Sequence, residues 1–172
     1  DATLPGLPVA LPSFGNASDA CAFAGGFLHV ARGAAGGGGA YEIWDVAATP
    51  PAMVFTYDNG SAFLCRDLVV ANNRAYVFNQ VSTTNFNTFV FDVATPATAT
   101  ILGSFVGGGQ AGAVYRPTGG ATTILACTTP GSAGVFQVWE VTNPAAAALL
   151  STYQTSTTTA ARNVAISQSR FA

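Results

Sequence analysis

Few side chains in this chain could do chemistry. His29 is the single histidine. As a general base within Phe27-Leu-His-Val30 it would need a nucleophile or an orienting acid brought to it by the fold. The plainer reading is a strand histidine whose hydrogen bond is satisfied. Asp45, Asp92 and Glu140 could form a ring of carboxylates around a cation, or each could cap a turn before a proline through backbone N–H groups. Their equivalence by repeat favours the turn. Calcium loops need several oxygens at alternate positions, and no such run exists, so neither a metal nor a cofactor is expected. No set of residues suggests a catalytic site.

Cys21, Cys65 and Cys127 are an odd number without CxxC spacing, which excludes a disulfide framework and a zinc knuckle. Cys21 and Cys65 lie nearly one repeat apart and are candidates for a disulfide; Cys127 would then be a buried thiol. Arg66-Asp67 and Arg162-Asn163 open equivalent strands and are candidate ligand contacts at one mouth of a central channel, with solvated rim residues as the alternative. Asn16-Ala-Ser18 and Asn59-Gly-Ser61 are N-glycosylation sequons in equivalent loops.

Composition narrows the classes. Charged residues make up 8% of the 172 and the net charge is −2. All six basic residues are arginine. Nothing supplies the positive face that nucleic acid requires. Although 49% of residues are hydrophobic, they come in short pieces cut by Gly, Pro and Asn, never near the roughly 20 of a membrane span. The start Asp1-Ala-Thr-Leu-Pro5 has no Met and no charged n-region, so a signal peptide is expected to be removed or to lie outside this piece.

These residues are positioned by a stretch that occurs three times: Glu42-Ile-Trp-Asp-Val46, Phe89-Val-Phe-Asp-Val93 and Gln137-Val-Trp-Glu-Val141, each followed by a proline. The acids are about 47 and 48 residues apart, the period of a propeller blade. A second phase agrees: Pro8-Val-Ala-Leu-Pro-Ser-Phe14 aligns with Pro51-Ala-Met-Val-Phe-Thr-Tyr57. Between them lie short strands joined by turn pairs, Gly25-Gly26 and Asn72-Asn73, of the kind two-residue hairpins prefer. Runs such as Leu68-Val69-Val70 are apolar on both faces, as strands packed between two neighbours must be. Ala145 to Ala148 follows Asn143-Pro144, is about one turn long, and reads as the approach to a strand.

The expected fold is all-β, with β-propeller blades of four antiparallel strands, three complete repeats plus partial blades at both ends. Residues 1–18 would be the last strand of a preceding blade, 19–61, 62–108 and 109–157 complete blades, and 158–172 the start of a further one. The odd ends favour a piece of a longer propeller over a fourth blade formed by the two ends.

Asp45-Val46, Asp92-Val-Ala-Thr-Pro96 and Glu140-Val-Thr-Asn-Pro144, with the hairpin around Ala75-Tyr-Val77, make the chain resemble the LVIVP repeat, a propeller-forming repeat of extracellular and surface proteins. Trp44-Asp45 is also similar to the WD repeat, but the Gly-His partner is missing. The LVIVP resemblance implies architecture and surface location and carries no catalytic residues. The functional expectation is a non-enzymatic extracellular scaffold, part of a secreted, cell-wall or surface-filament protein. Its partners would be other protein chains or glycans, with self-association through blade edges. The alternative is the propeller domain of a secreted hydrolase or carbohydrate-binding protein whose active residues lie elsewhere.

Overall fold

The computed structural model describes residues 18–33, 40–58, 64–81, 85–107, 109–116, 121–129, 134–158 and 161–166. Asn16, Asn59 and the strand expected before residue 18 lie outside them. The first sheet comprises β1 (Ala20–Ala24), β2 (Phe27–Arg32), β3 (Ala40–Asp45) and β4 (Ala52–Asp58). The second holds β5 (Leu64–Ala71), β6 (Arg74–Gln80), β7 (Phe86–Asp92) and β8 (Thr100–Val106). The third holds β9 (Gly112–Tyr115), β10 (Ile124–Thr128), β11 (Gly134–Glu140) and β12 (Ala148–Ser156). Each sheet is an antiparallel meander in chain order. Among the described residues no helix is long and apolar enough to cross a membrane.

Local chemistry sets these boundaries. Gly25, Gly26, Asn72 and Asn73 all have positive φ, the conformation that lets a two-residue turn follow the twist of its strands. At the end of the third strand Asp45 Oδ1 accepts from the Ala47 and Ala48 amides, and Asp92 Oδ1 from Ala94 N at 2.9 Å. Asp45 and Asp92 are therefore turn caps, the role expected of Glu140 as well. In the third repeat the work passes to Asn143, whose Oδ1 accepts from Ala145 N. There Pro144–Ala146 forms a 3₁₀ turn before β12 begins at Ala148. Of the segment 158–172, expected to start a further blade, residues 158 and 161–166 are described and hold one bridge residue, Ile166, while 159–160 and 167–172 lie outside the described residues.

One irregularity recurs in register. The pairing of third and fourth strands slips between Ile43 and Trp44, between Val90 and Phe91, and between Val138 and Trp139. Each slip leaves an extra residue on the outer strand, Val54, Leu102 and Leu150. Such bulges bend an edge and sharpen its twist.

The second sheet packs between the other two. One buried cluster joins Ala31, Tyr41 and Ile43 of the first sheet to Leu68, Val77 and Phe91 of the second. Another joins Tyr76, Phe78 and Val90 to Leu125, Cys127 and Trp139 of the third. The same aromatic contact closes both seams, Tyr57 on Phe91 at 5.1 Å and Phe105 on Trp139 at 4.8 Å. Two-sided apolar strands are thus a requirement of packing, as the second sheet shows.

Candidate functional site

Several polar side chains of the described residues lie at the seams. His29, on β2, is 1% exposed and its Nδ1 lies 2.7 Å from the Tyr41 hydroxyl. Burial pushes its pKa down from the ordinary value, an effect partly offset by a hydrogen bond to the Ala24 backbone. With the ring proton on the nitrogen facing Ala24, Nδ1 accepts from Tyr41 O–H. Burial also raises the Tyr41 pKa, which keeps that hydroxyl a donor. Tyr41 in turn packs on Phe91 of the second sheet, ring centres 4.9 Å apart. His29 is a neutral histidine engaged on both ring nitrogens and built into the seam.

Arg66 and Asp67 sit at a bulge in β5, where Cys65 pairs with Asn79 and Asp67 with Phe78. Arg66 reaches back to Asp19 beside the first sheet at 3.3 Å and donates from Nε to Gln80 Oε1 at 2.8 Å. Asp67 points the other way and accepts from Gly112 N of β9 at 3.3 Å and from Leu68 N at 2.9 Å. Burial raises the Asp67 pKa, and these two amides work against the rise. Two residues expected at a channel mouth therefore fasten the second sheet to both neighbours. Their counterparts Arg162 and Asn163 are exposed, with Asn163 Oδ1 accepting from Val164 N.

The candidate disulfide between Cys21 and Cys65 is not formed. Side chains alternate along β1, so Cys21 is exposed while Ala20 and Ala22 face the second sheet; Cys65 is buried and donates to Asn79 Oδ1. The two thiols lie on opposite faces of the first strand. Burial pushes Cys65 and Cys127 up to about 12, which leaves both as unreactive thiols.

Indoles on the third strands are satisfied by a residue two positions earlier on the same face. Trp44 Nε1 donates to Glu42 Oε2 at 2.9 Å and Trp139 Nε1 to Gln137 Oε1 at 3.2 Å. In the second repeat, where Phe91 has no N–H to satisfy, the partner position is Phe89. Glu42 is buried and Arg32 Nε lies 3.1 Å from its Oε1, yet that N–H makes no aligned hydrogen bond. The pair is held by charge rather than by direction.

Between the hairpin ends of the first two sheets lies a cleft of about 320 Å³. Phe27, Val70, Val93 and Pro96 form its apolar wall, His29 its inner end, and Asn72, Asn73 and Ala94 its polar rim. No charged side chain lines it among the described residues. Arg74 occupies the matching place at the next seam, donating from Nη1 to the carbonyls of Val141 and Thr142 at 3.3 and 3.1 Å. Neither Arg74 nor Phe27 is evident as a site residue by itself; aligning the repeats reveals them, because one column holds Phe27, Arg74 and Ile124.

No protein-family model matches this sequence, and no curated protein does. Among solved structures, the chain is similar to the crystal structure of the computationally designed Ika4 protein, with a TM-score of 0.61 at 18% identity. The likeness covers 92% of this chain and 84% of that one, and it is a likeness of fold alone.

Proposed function

We propose that this chain is a non-enzymatic extracellular scaffold of the propeller type, presenting repeated outer-strand surfaces to protein or glycan partners. One observation carries the reading. The outer strands β4, β8 and β12 each place a large apolar residue at the same position, just before the shared bulge, and Met53, Ile101 and Leu149 are 47%, 45% and 47% exposed. A half-exposed apolar side chain is unremarkable singly, but the same one on three neighbouring edges makes a periodic display. The low charge of the surface and the engagement of His29, Arg66 and Asp67 in seams fit the same reading. The resemblance to LVIVP repeats and the sequons at Asn16 and Asn59 support the extracellular placement.

The test replaces the three residues together, M53S/I101S/L149S, and compares the variant with the native chain on a glycan array and against secreted-protein extracts, alongside its melting curve. Expected is a native melting temperature with binding reduced by about tenfold or more. Binding by the native chain that survives the triple substitution unchanged would overturn the reading. A mass shift on N-glycan removal from the secreted chain checks the sequons.

A further inference from the structure

The two seams share a plan, and one of the positions at which they differ is that of Phe27 and Arg74. In the ladder Phe27 pairs with Asp45 and Arg74 with Asp92, so the two residues are equivalent. Each faces the turn that follows the third strand of the next sheet. From the second sheet, Arg74 meets the carbonyls of Val141 and Thr142 with its guanidinium. The matching carbonyls one repeat earlier belong to Val93 and Ala94, and both residues line the cleft beside Phe27, which has no donor. The turns themselves are held alike, with Val93 N donating to Asn73 O and Val141 N to Thr123 O, both at 2.8 Å.

We propose that the cleft between the first and second sheets binds a guanidinium group from outside the chain, in the place that Arg74 fills one seam on. By their equivalence to Val141 and Thr142, the carbonyls of Val93 and Ala94 are the acceptors for such a group. Phe27 offers an aromatic ring for a planar cation. The Asp92 carboxylate, bound to Ala94 N, adds negative charge behind the turn. No cationic side chain lines the cleft among the described residues to oppose it. Its volume of about 320 Å³ is at the small end of ligand sites, enough for one such group and its stem. The inference stands on the seam geometry and does not depend on the scaffold reading.

The experiment titrates ¹⁵N-labelled native chain with Nα-acetyl-arginine amide and with the citrulline amide, which keeps the shape and loses the charge. Saturable shifts at Asn73, Val93 and Ala94 are expected with arginine, and affinity at least about tenfold lower with citrulline. The substitution F27R supplies the group from within, so it abolishes the shifts and raises the melting temperature. Phe27→Leu is the control that keeps the cleft apolar, and it weakens binding without abolishing it. Equal affinity for citrulline, shifts confined to other residues, or undiminished binding by a folded F27R protein would each sink the proposal. Methylguanidinium binding as tightly as the amide identifies a small cation as the occupant. A Gly-Ser-Arg-Ser-Gly peptide that gains about tenfold or more identifies an arginine of a protein partner.

Discussion

His29 shows how one side chain can tie stability to pH. Its folded pKa lies below the unfolded value of 6.5 because the ring is buried. The native state therefore binds the proton less readily than the unfolded chain does. The contribution is fully present above 6.5 and is lost as pH falls from there through the folded pKa. One such group can contribute a slope of at most about 1.4 kcal/mol per pH unit. Urea unfolding between pH 7.5 and 5.5 should show stability falling over that window, and His29→Gln should flatten the slope. Tyr41→Phe should cost about 1–2 kcal/mol, since Nδ1 loses its donor inside the seam. A histidine held by hydrogen bonds was legible in the sequence, but Tyr41 was not. The partner stands twelve residues away on the next strand, and only the register of β2 on β3 puts it there.

At the scale of elements, packing between sheets depends on how closely backbones approach. Gly103 in β8 meets the turn at Pro144–Ala146; a Cβ at residue 103 would lie 2.5 Å from Pro144 C and Ala145 N. Backbone cannot move aside as a flexible side chain can, so Gly103→Ala should cost about 1–3 kcal/mol by overpacking. Thermal unfolding of the variant checks this; the same change at Gly25, where added atoms meet nothing, tests only the positive φ. The strands, the Gly25-Gly26 and Asn72-Asn73 turns and the acidic turn caps could be read from the chain because each rests on local chemistry. The bulges at Val54, Leu102 and Leu150 could not. Apolar runs there look continuous, and a slip in register changes no residue type. The roles of Arg66, Asp67 and Arg74 were equally hidden, because their partners belong to other repeats.

For the molecule as a whole, the second sheet is packed on both faces and the last strand is mostly exposed. Native-state hydrogen exchange should therefore find the slowest amides in β6 and β7 and faster ones in β12. Equal protection across the three sheets would contradict this order. The four-stranded repeat was legible from its period of about 47 residues. The order of contacts within the seams was not, since a period says how many units there are and not what passes between them. Units of one fold joined in one chain can also assemble in the wrong order. Here the first junction carries Arg66 on Asp19, and the second carries Asp67 on the Gly112 amide and Arg74 on two carbonyls. A junction that brought up another sheet in place of the third would leave Asp67 without the Gly112 amide, a mismatch costing about 1–3 kcal/mol. Contacts of this kind would favour the native order of sheets over a shuffled one.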